Sequence, residues 1–79
     1  ATEVDIRGCT VGEGITRMEQ FLDQAMLSGI ATVTVIHGKG TGVLRKAVHE
    51  HLRRSKQVKD YRIGRYGEGE DGVTIVNLR

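Results

Sequence analysis

The segment from His37 to Gly42, His-Gly-Lys-Gly-Thr-Gly, has the residue types of an anion-binding turn. It connects a β-branched run to a predicted helix that starts at Val43. Backbone N–H groups and the positive end of a helix dipole then face the same point, where phosphate groups bind readily. The alternative interpretation is that the glycines only permit a tight turn between strand and helix.

Two nucleotide-binding motifs do not fit this segment. In the P-loop a glycine and four further residues precede Gly-Lys, which is followed directly by Ser or Thr, whereas here Gly40 follows Lys39. The dinucleotide motif needs a third glycine where Val43 stands. The later segment Gly67–Gly72 does fit G-x-G-x-x-G, but it precedes a predicted strand and contains three acids, which would repel phosphate. We interpret it as a hairpin loop, with metal contact through its acids as the alternative.

Asp5, Arg7 and His37 are the candidate catalytic residues. If the first two strands are adjacent and parallel, their carboxyl ends bring these three residues together at one sheet edge. His37 would act as general acid or base, Arg7 and Lys39 would steady a phosphate, and Asp5 would orient His37 or a water molecule. In the alternative, Asp5 accepts N–H groups of the glycine loop or pairs with Arg7, and His37 is an ordinary loop residue.

Positive charge is concentrated in one part of the chain. The net charge is only +2, but residues 37–56 contain six lysines and arginines against one acid, Glu50. A local field of this sign attracts polyanions. The predicted nucleic-acid-binding residues are those of the glycine loop and the basic face of the helix after it: Gly38, Lys39, Gly40, Thr41, Gly42, Arg45, Lys46, Arg53 and Arg54. A solvated helix face without a ligand is the alternative for the last four.

Six elements are predicted to hold these residues. Along the chain they are a strand over Glu3–Arg7, a helix from a Thr10–Glu13 capping box to Ser28-Gly29, a strand over Ala31–Ile36, a helix from Val43, and strands over Val58–Tyr66 and Val73–Leu78. The order β-α-β-α-β-β predicts an α/β two-layer sandwich. Its mixed four-stranded sheet has both helices on one face, three parallel strands and a reversed fourth.

Composition limits the class of protein. The 79 residues are predicted to form one domain, 1–79, and the start at Ala1 leads us to expect a domain cut from a longer chain. One cysteine, Cys9, favours a reducing compartment such as the cytoplasm, and no apolar run approaches the roughly 20 residues of a membrane span. No zinc-type ligand spacing occurs, and His49 and His51, two apart on a helix, are expected to be surface or packing residues.

Three motifs, in order, resemble those of the Smr (small MutS-related) domain family. Val4-Asp5-Ile6-Arg7-Gly8 is similar to its Leu-Asp-Leu-Arg-Gly opening, and His37–Gly42 followed by Val43-Leu44-Arg45 is similar to its His-Gly-x-Gly-x-Gly signature. Gly72–Val76 resembles its glycine-led final strand. The resemblance covers nearly the whole chain and is closest to the C-terminal domain of the second bacterial MutS paralogue.

The resemblance implies a fold similar to the C-terminal domain of translation initiation factor three, and binding or nicking of DNA or RNA. It also implies a longer MutS-like protein, expected to be a homodimer, with roles in suppressing recombination and in rescuing stalled or collided ribosomes. ATP would bind outside this domain. We expect no cofactor within it beyond a loosely bound divalent metal.

Three hypotheses remain at this point. The first is an endonuclease, and the second is a non-catalytic module that docks on structured nucleic acid such as ribosomal RNA. The third is a protein-interaction domain that uses the open sheet face. The first two predict salt-sensitive nucleic-acid binding, and only the first predicts cleavage that depends on Asp5 and His37.

Overall fold

The structure, a computed structural model, describes residues 2–79. Ala1, the start of the predicted 1–79 domain, lies outside them. The elements are β1 (Glu3–Asp5), α1 (Val11–Leu27), β2 (Thr32–Ile36), α2 (Val43–Arg54), β3 (Val58–Ile63), a short 3-10 turn (Glu70–Gly72) and β4 (Val73–Leu78). The predicted α/β sandwich is confirmed.

The sheet order is β1-β2-β4-β3. β1 pairs with β2 in parallel, and β4 is antiparallel to both of its neighbours, so β3 runs in the same direction as β1 and β2. The predicted strand directions are therefore confirmed, while the position of β4 between β2 and β3 is a feature that the sequence analysis did not assign. β4 is the most apolar strand, and five of its six residues are buried. This burial suits the central place of β4, which has a hydrogen-bonded strand on each side.

Both helices pack on one face of the sheet and bury a single aliphatic core. The helix-facing positions of the paired strands alternate along each strand, as Val33 opposite Val76 and Val35 opposite Thr74 show. The core consists of Ile6, Met18, Leu22, Ala25, Val33, Val35, Val48, Leu52, Val58, Val76 and Leu78. On the other face Asn77 accepts a hydrogen bond from Thr32 and donates one to Asp60. Within residues 2–79, neither helix combines the length and apolar character that a membrane span requires.

Three strands are shorter than predicted. β2 begins at Thr32, one residue later than predicted, and side-chain hydrogen bonds explain the early ends of β1 and β3. The strand predicted over Glu3–Arg7 stops at Asp5, because the Asp5 carboxylate accepts the N–H of Arg7 at 3.0 Å and turns the chain. The strand predicted over Val58–Tyr66 stops at Ile63, because the Glu68 carboxylate accepts the N–H of Arg65 at 2.7 Å. The same carboxylate also accepts hydrogen bonds from the Nη1 and Nη2 atoms of Arg62.

The start of α1 is fixed by the predicted capping box. Thr10 Oγ1 accepts the N–H of Glu13 at 3.2 Å, and Glu13 Oε1 accepts the N–H of Thr10 at 3.1 Å. Both bonds satisfy N–H groups that the helix itself cannot pair. The helix ends before Ser28, and Gly29 takes a left-handed conformation with φ of 72°.

Thr10→Ala is expected to lower the free energy of unfolding by about 1 kcal/mol, because it removes the N-cap acceptor of α1. Thr10→Ser keeps the hydroxyl and is expected to stay close to wild type. Urea denaturation followed by circular dichroism measures both. Equal loss in the two variants would show that the methyl group, and not the cap, stabilises this helix start.

Candidate phosphate-binding site

Asp5 holds the side chain of Arg7 immediately after β1. The Asp5 carboxylate accepts from Arg7 Nε at 2.9 Å and from Arg7 Nη2 at 2.6 Å, in addition to the backbone N–H. The hydrogen bond from the Arg7 side chain is the main reason that the pKa of Asp5 falls to about 2, and the backbone bond adds to it. Asp5 is therefore ionised at neutral pH and fixes the direction of the Arg7 fork.

The proposed alternative in which Asp5 braces the glycine loop is not what the structure shows, since the N–H groups that reach its carboxylate belong to Arg7. The loop is held instead by the start of β4. The N–H groups of His37 and Gly38 both donate to the carbonyl of Gly72, at 3.1 and 2.9 Å. The residue that anchors the loop thus lies on the segment that the sequence analysis treated as a hairpin loop.

The glycines of the loop have the backbone conformations that glycine allows. Gly38 and Gly42 have φ of 79° and 86°, in the left-handed region. A Cβ atom at Gly38 would lie 3.3 Å from Arg7 Cγ, so the Arg7 side chain crosses directly over this glycine. The clamp after β1 and the loop after β2 therefore meet, as the parallel pairing of Asp5 with Ile36 requires.

Six backbone N–H groups in and after the loop have no acceptor among residues 2–79. α2 has Gly42 at its N-cap, which offers no side-chain oxygen to its first turn. The unpaired donors belong to Lys39, Gly40, Thr41, Val43, Leu44 and Arg45. Such a set of donors at the positive end of a helix attracts an anion.

An open cleft of about 480 Å³ lies over these donors. It is lined by residues 7–11 on one side and 37–45 on the other. Of the predicted site residues it contains Arg7, His37, the five residues of the glycine loop and Arg45. Asp5 is outside the lining and reaches the cleft through Arg7. Lys46, Arg53 and Arg54 are also outside it, further along α2.

His37 is brought to the site, but its ring faces the interior. The residue is 4% exposed, its Nδ1 lies 2.9 Å from the Gly38 carbonyl, and its Nε2 lies 2.8 Å from Thr74 Oγ1. The same hydroxyl lies 2.8 Å from His49 Nε2. Both ring nitrogens of His37 are therefore occupied by protein groups. Its predicted function as general acid or base stays a prediction, and these contacts favour a positioning role.

His49 and Thr74 are site residues that the sequence analysis missed. His49 was expected to be a surface or packing residue, and it does pack: it points at the sheet, with its ring tilted against that of Tyr61 and the ring centroids 5.1 Å apart. Its contact with Thr74 depends on which strand lies beneath α2, and no sequence pattern gave that. The available signal was Thr74 itself, a hydroxyl at a core-facing position of the most apolar strand.

The acidic turn, which contains Glu70 and Asp71, lies beside two cations of the cleft, Lys39 and Arg45. Lys39 Nζ is 3.7 Å from Glu70 Oε2 and 3.5 Å from Asp71 Oδ1, and Arg45 Nη1 is 3.8 Å from Asp71 Oδ2. These pairs are long and solvent-exposed, so each contributes little to stability. Among residues 2–79, no group of three or more His, Cys, Asp or Glu side chains gathers to hold a metal ion.

Burial lowers the pKa of His37 and of His49, and the nearby Arg45 lowers both further. The unfolded chain takes up protons near the ordinary value of 6.5, whereas the folded chain takes them up only at lower pH. The free energy of unfolding is therefore expected to fall as the pH drops from 7 to 5. Urea denaturation at several pH values measures this, and His49→Gln is expected to reduce the fall. The same pH dependence in both proteins would contradict the assignment.

Comparison with known proteins places this geometry in a family. A family model described as the Smr domain matches residues 4–79. The chain is 52% identical over 79 residues to Endonuclease MutS2 of Acetivibrio thermocellus, covering 100% of this chain and 10% of that protein. The chain thus spans about a tenth of the length of this curated relative.

Solved structures agree with the sequence comparison. The Smr domain of Thermus thermophilus MutS2 superposes with a TM-score of 0.97 at 47% identity, covering 100% of this chain and 99% of that one. YdaL, a stand-alone small MutS-related protein from Escherichia coli, gives a TM-score of 0.92 at 26% identity, over 99% of this chain and 64% of that one. The chain therefore belongs to the Smr domain family.

Proposed function

We propose that this domain binds the phosphate backbone of nucleic acid and nicks it, as the endonuclease domain of a MutS-like protein. One observation carries the proposal: the Arg7 side chain, clamped by Asp5, lies across a loop in which three N–H groups have no acceptor in the described chain, those of Lys39, Gly40 and Thr41. A fixed guanidinium beside free backbone donors suits a phosphate group. The names of its full-length relatives, Endonuclease MutS2, support the nuclease class.

We assign Arg7 to stabilising the negative charge that develops on the phosphate oxygens during cleavage. Asp5 engages its Nε and Nη2 atoms, while Nη1 has no acceptor among residues 2–79 and is left for a phosphate oxygen. A preorganised donor of this kind stabilises the charge that builds up during cleavage. With its pKa lowered to about 2, Asp5 is a weak base, so we assign it to orienting Arg7.

The remaining contacts hold the substrate in place. Lys39 and Arg45 flank the cleft, and Lys46, Arg53 and Arg54 follow on α2. From Arg45 to Arg53 the helix rises about 12 Å, which provides a basic surface for the strand beyond the cleft. Contacts of this type position nucleic acid without reading its sequence. The described residues gather no group of three or more metal-ligating side chains, and we propose modest nuclease activity with at most a loosely bound divalent metal.

A second candidate function is a non-catalytic module that anchors a longer protein to DNA or ribosomal RNA. The burial of His37 favours it, because both of its ring nitrogens are already hydrogen-bonded. The phosphate-binding surface serves this function equally well. The two candidates differ only in cleavage.

For the whole protein we propose a cytoplasmic, MutS-like homodimer whose ATP-binding region lies outside this domain. Suppression of recombination and rescue of stalled or collided ribosomes are the proposed roles. The support is the resemblance to the MutS2 relatives, of which this chain spans about a tenth.

Arg7→Ala is expected to slow cleavage of labelled DNA or RNA by about 10²-fold, because it removes a donor to the reacting phosphate. The slope of log affinity against log salt is expected to fall by about 1, as for one lost phosphate contact. Arg62→Ala is the matched control, since Arg62 is held by Glu68 in a similar two-pronged pair but lies outside the cleft. Equal effects of the two substitutions would contradict the assignment of Arg7.

Cleavage and binding by Asp5→Ala, His37→Ala and Lys39→Ala separate the two candidate functions. If the domain nicks nucleic acid, cleavage falls in the Asp5, His37 and Lys39 variants while circular dichroism shows intact folding. If all proteins bind and wild type, freed of contaminating nuclease, cleaves nothing, the anchoring function is correct.

Replacing both acids beside the cleft, Glu70→Gln with Asp71→Asn, is expected to tighten nucleic-acid binding several-fold at low salt. The acids lie within 4 Å of Lys39 and Arg45 and compete with phosphate for them. Fluorescence anisotropy with labelled oligonucleotides measures the change. Glu3→Gln with Glu19→Gln alters the net charge equally at exposed positions on β1 and α1, outside the cleft and the basic surface of α2. The same gain in this control would show a general charge effect only.

A further inference from the structure

The contacts around His37 allow one consistent placement of hydrogens in the neutral ring. The Gly38 carbonyl only accepts, so His37 Nδ1 carries a hydrogen and donates to it at 2.9 Å. His37 Nε2 is then an acceptor, and Thr74 Oγ1–H donates to it at 2.8 Å. A lone pair of the same hydroxyl oxygen remains, and it accepts His49 Nε2–H at 2.8 Å. The hydrogen bonds therefore run in one direction, from α2 through β4 to the glycine loop.

This order of hydrogen bonds fixes a peptide group of the loop. The C=O and N–H of a trans peptide point in opposite directions. Because the Gly38 carbonyl is held towards His37, the N–H of Lys39 points away from the buried ring. That N–H is one of the donors with no acceptor among residues 2–79.

The core offers no packing reason for a hydroxyl at position 74. On the helix-facing side of β4, the residues that follow Thr74 in alternation are Val76 and Leu78, and all three are buried. Valine has nearly the shape of threonine, so it would fill the same space. A buried hydroxyl is costly unless it is hydrogen-bonded, and this one serves two imidazoles. Burial lowers the pKa of both histidines and keeps them neutral at pH 7.

We propose that Thr74 and His49 are positioning residues of the phosphate-binding site, acting through the tautomer of His37 to set the direction of the Lys39 N–H. The inference rests on the proposed function, in which the loop N–H groups bind phosphate. His49 supplies the N–H that directs the Thr74 hydrogen towards His37. The Thr74 hydroxyl donates to His37 Nε2, so the hydrogen of the neutral His37 ring stays on Nδ1.

Thr74→Val, Thr74→Ser and, as the matched control, Thr32→Val test the proposal. Thr32→Val removes an equivalent hydroxyl on the opposite face of the sheet, where Thr32 donates to Asn77. Nuclear magnetic resonance of the ¹⁵N-labelled histidine rings is expected to show His37 protonated on Nδ1 in wild type, Thr74→Ser and Thr32→Val. In Thr74→Val the Nε2-protonated form is expected to appear and the Lys39 amide signal to move.

Binding of a labelled oligonucleotide is expected to weaken by about threefold to tenfold in Thr74→Val, the scale of one hydrogen bond, and by less than about twofold in the other two variants. His49→Leu, which removes the donor but leaves β4 unchanged, is the second route if Thr74→Val does not fold. It is expected to weaken binding in the same direction.

Protonation of His37 on Nε2 in wild type would overturn the proposal. So would an unchanged His37 tautomer and Lys39 amide in Thr74→Val. Absence of oligonucleotide binding by wild type would instead overturn the proposed function. The ring and amide signals would still decide whether Thr74 orders the loop.

Discussion

The carbonyl of Gly72 is the contact on which the site depends. It accepts the N–H groups of both His37 and Gly38, and so ties the end of β2 to the start of β4. A Cβ at position 72 would lie 3.8 Å from the Gly38 backbone and 3.5 Å from Lys39, which shows how closely the two segments approach. Because β4 lies beside β2, the acidic turn before β4 is brought to the edge of the cleft. The glycine loop, its cations and its nearby acids all take their positions from this one attachment.

Two kinds of cation surround the cleft, and geometry separates them. Arg7 is held by Asp5 through two side-chain hydrogen bonds of 2.6 and 2.9 Å, whereas Lys39 meets its acids only at 3.5 and 3.7 Å. A short two-pronged pair fixes a direction, while long exposed pairs are readily exchanged for water or for another anion. Arg7 is thus suited to orient a phosphate and Lys39 to attract one.

The sequence was sufficient to predict the elements whose formation depends on residues close together in the chain. Strand alternation, the Thr10 capping box and the glycine turn each depend on a few neighbouring residues. Their elements are confirmed, with shifts of one to three residues at the start of β2 and at the ends of β1 and β3. The sequence analysis did not assign the place of β4, because strand order depends on which strand is buried on both faces. That order decides what lies under α2, so the contacts of His49 with Thr74 lay beyond sequence reasoning. The alternative in which Asp5 accepts N–H groups of the glycine loop was wrong, while the alternative in which it pairs with Arg7 is confirmed. Arg7 lies two residues away and offers a closer set of donors to the same carboxylate.

β1 is an edge strand of three residues, and in the described chain its neighbour in the sheet is β2. Ile6, directly after β1, inserts a fully buried side chain into the core. Edge segments with few hydrogen bonds open locally at a lower free energy than the core. Opening of this strand would carry Asp5 and Arg7 away from Gly38 while the helices and the β2–β4–β3 sheet stay folded. The assembled site therefore depends on the pairing of one short edge strand, which can open without global unfolding. Amide exchange at Ile6, whose N–H pairs with the carbonyl of Ile36, reports the free energy of that opening.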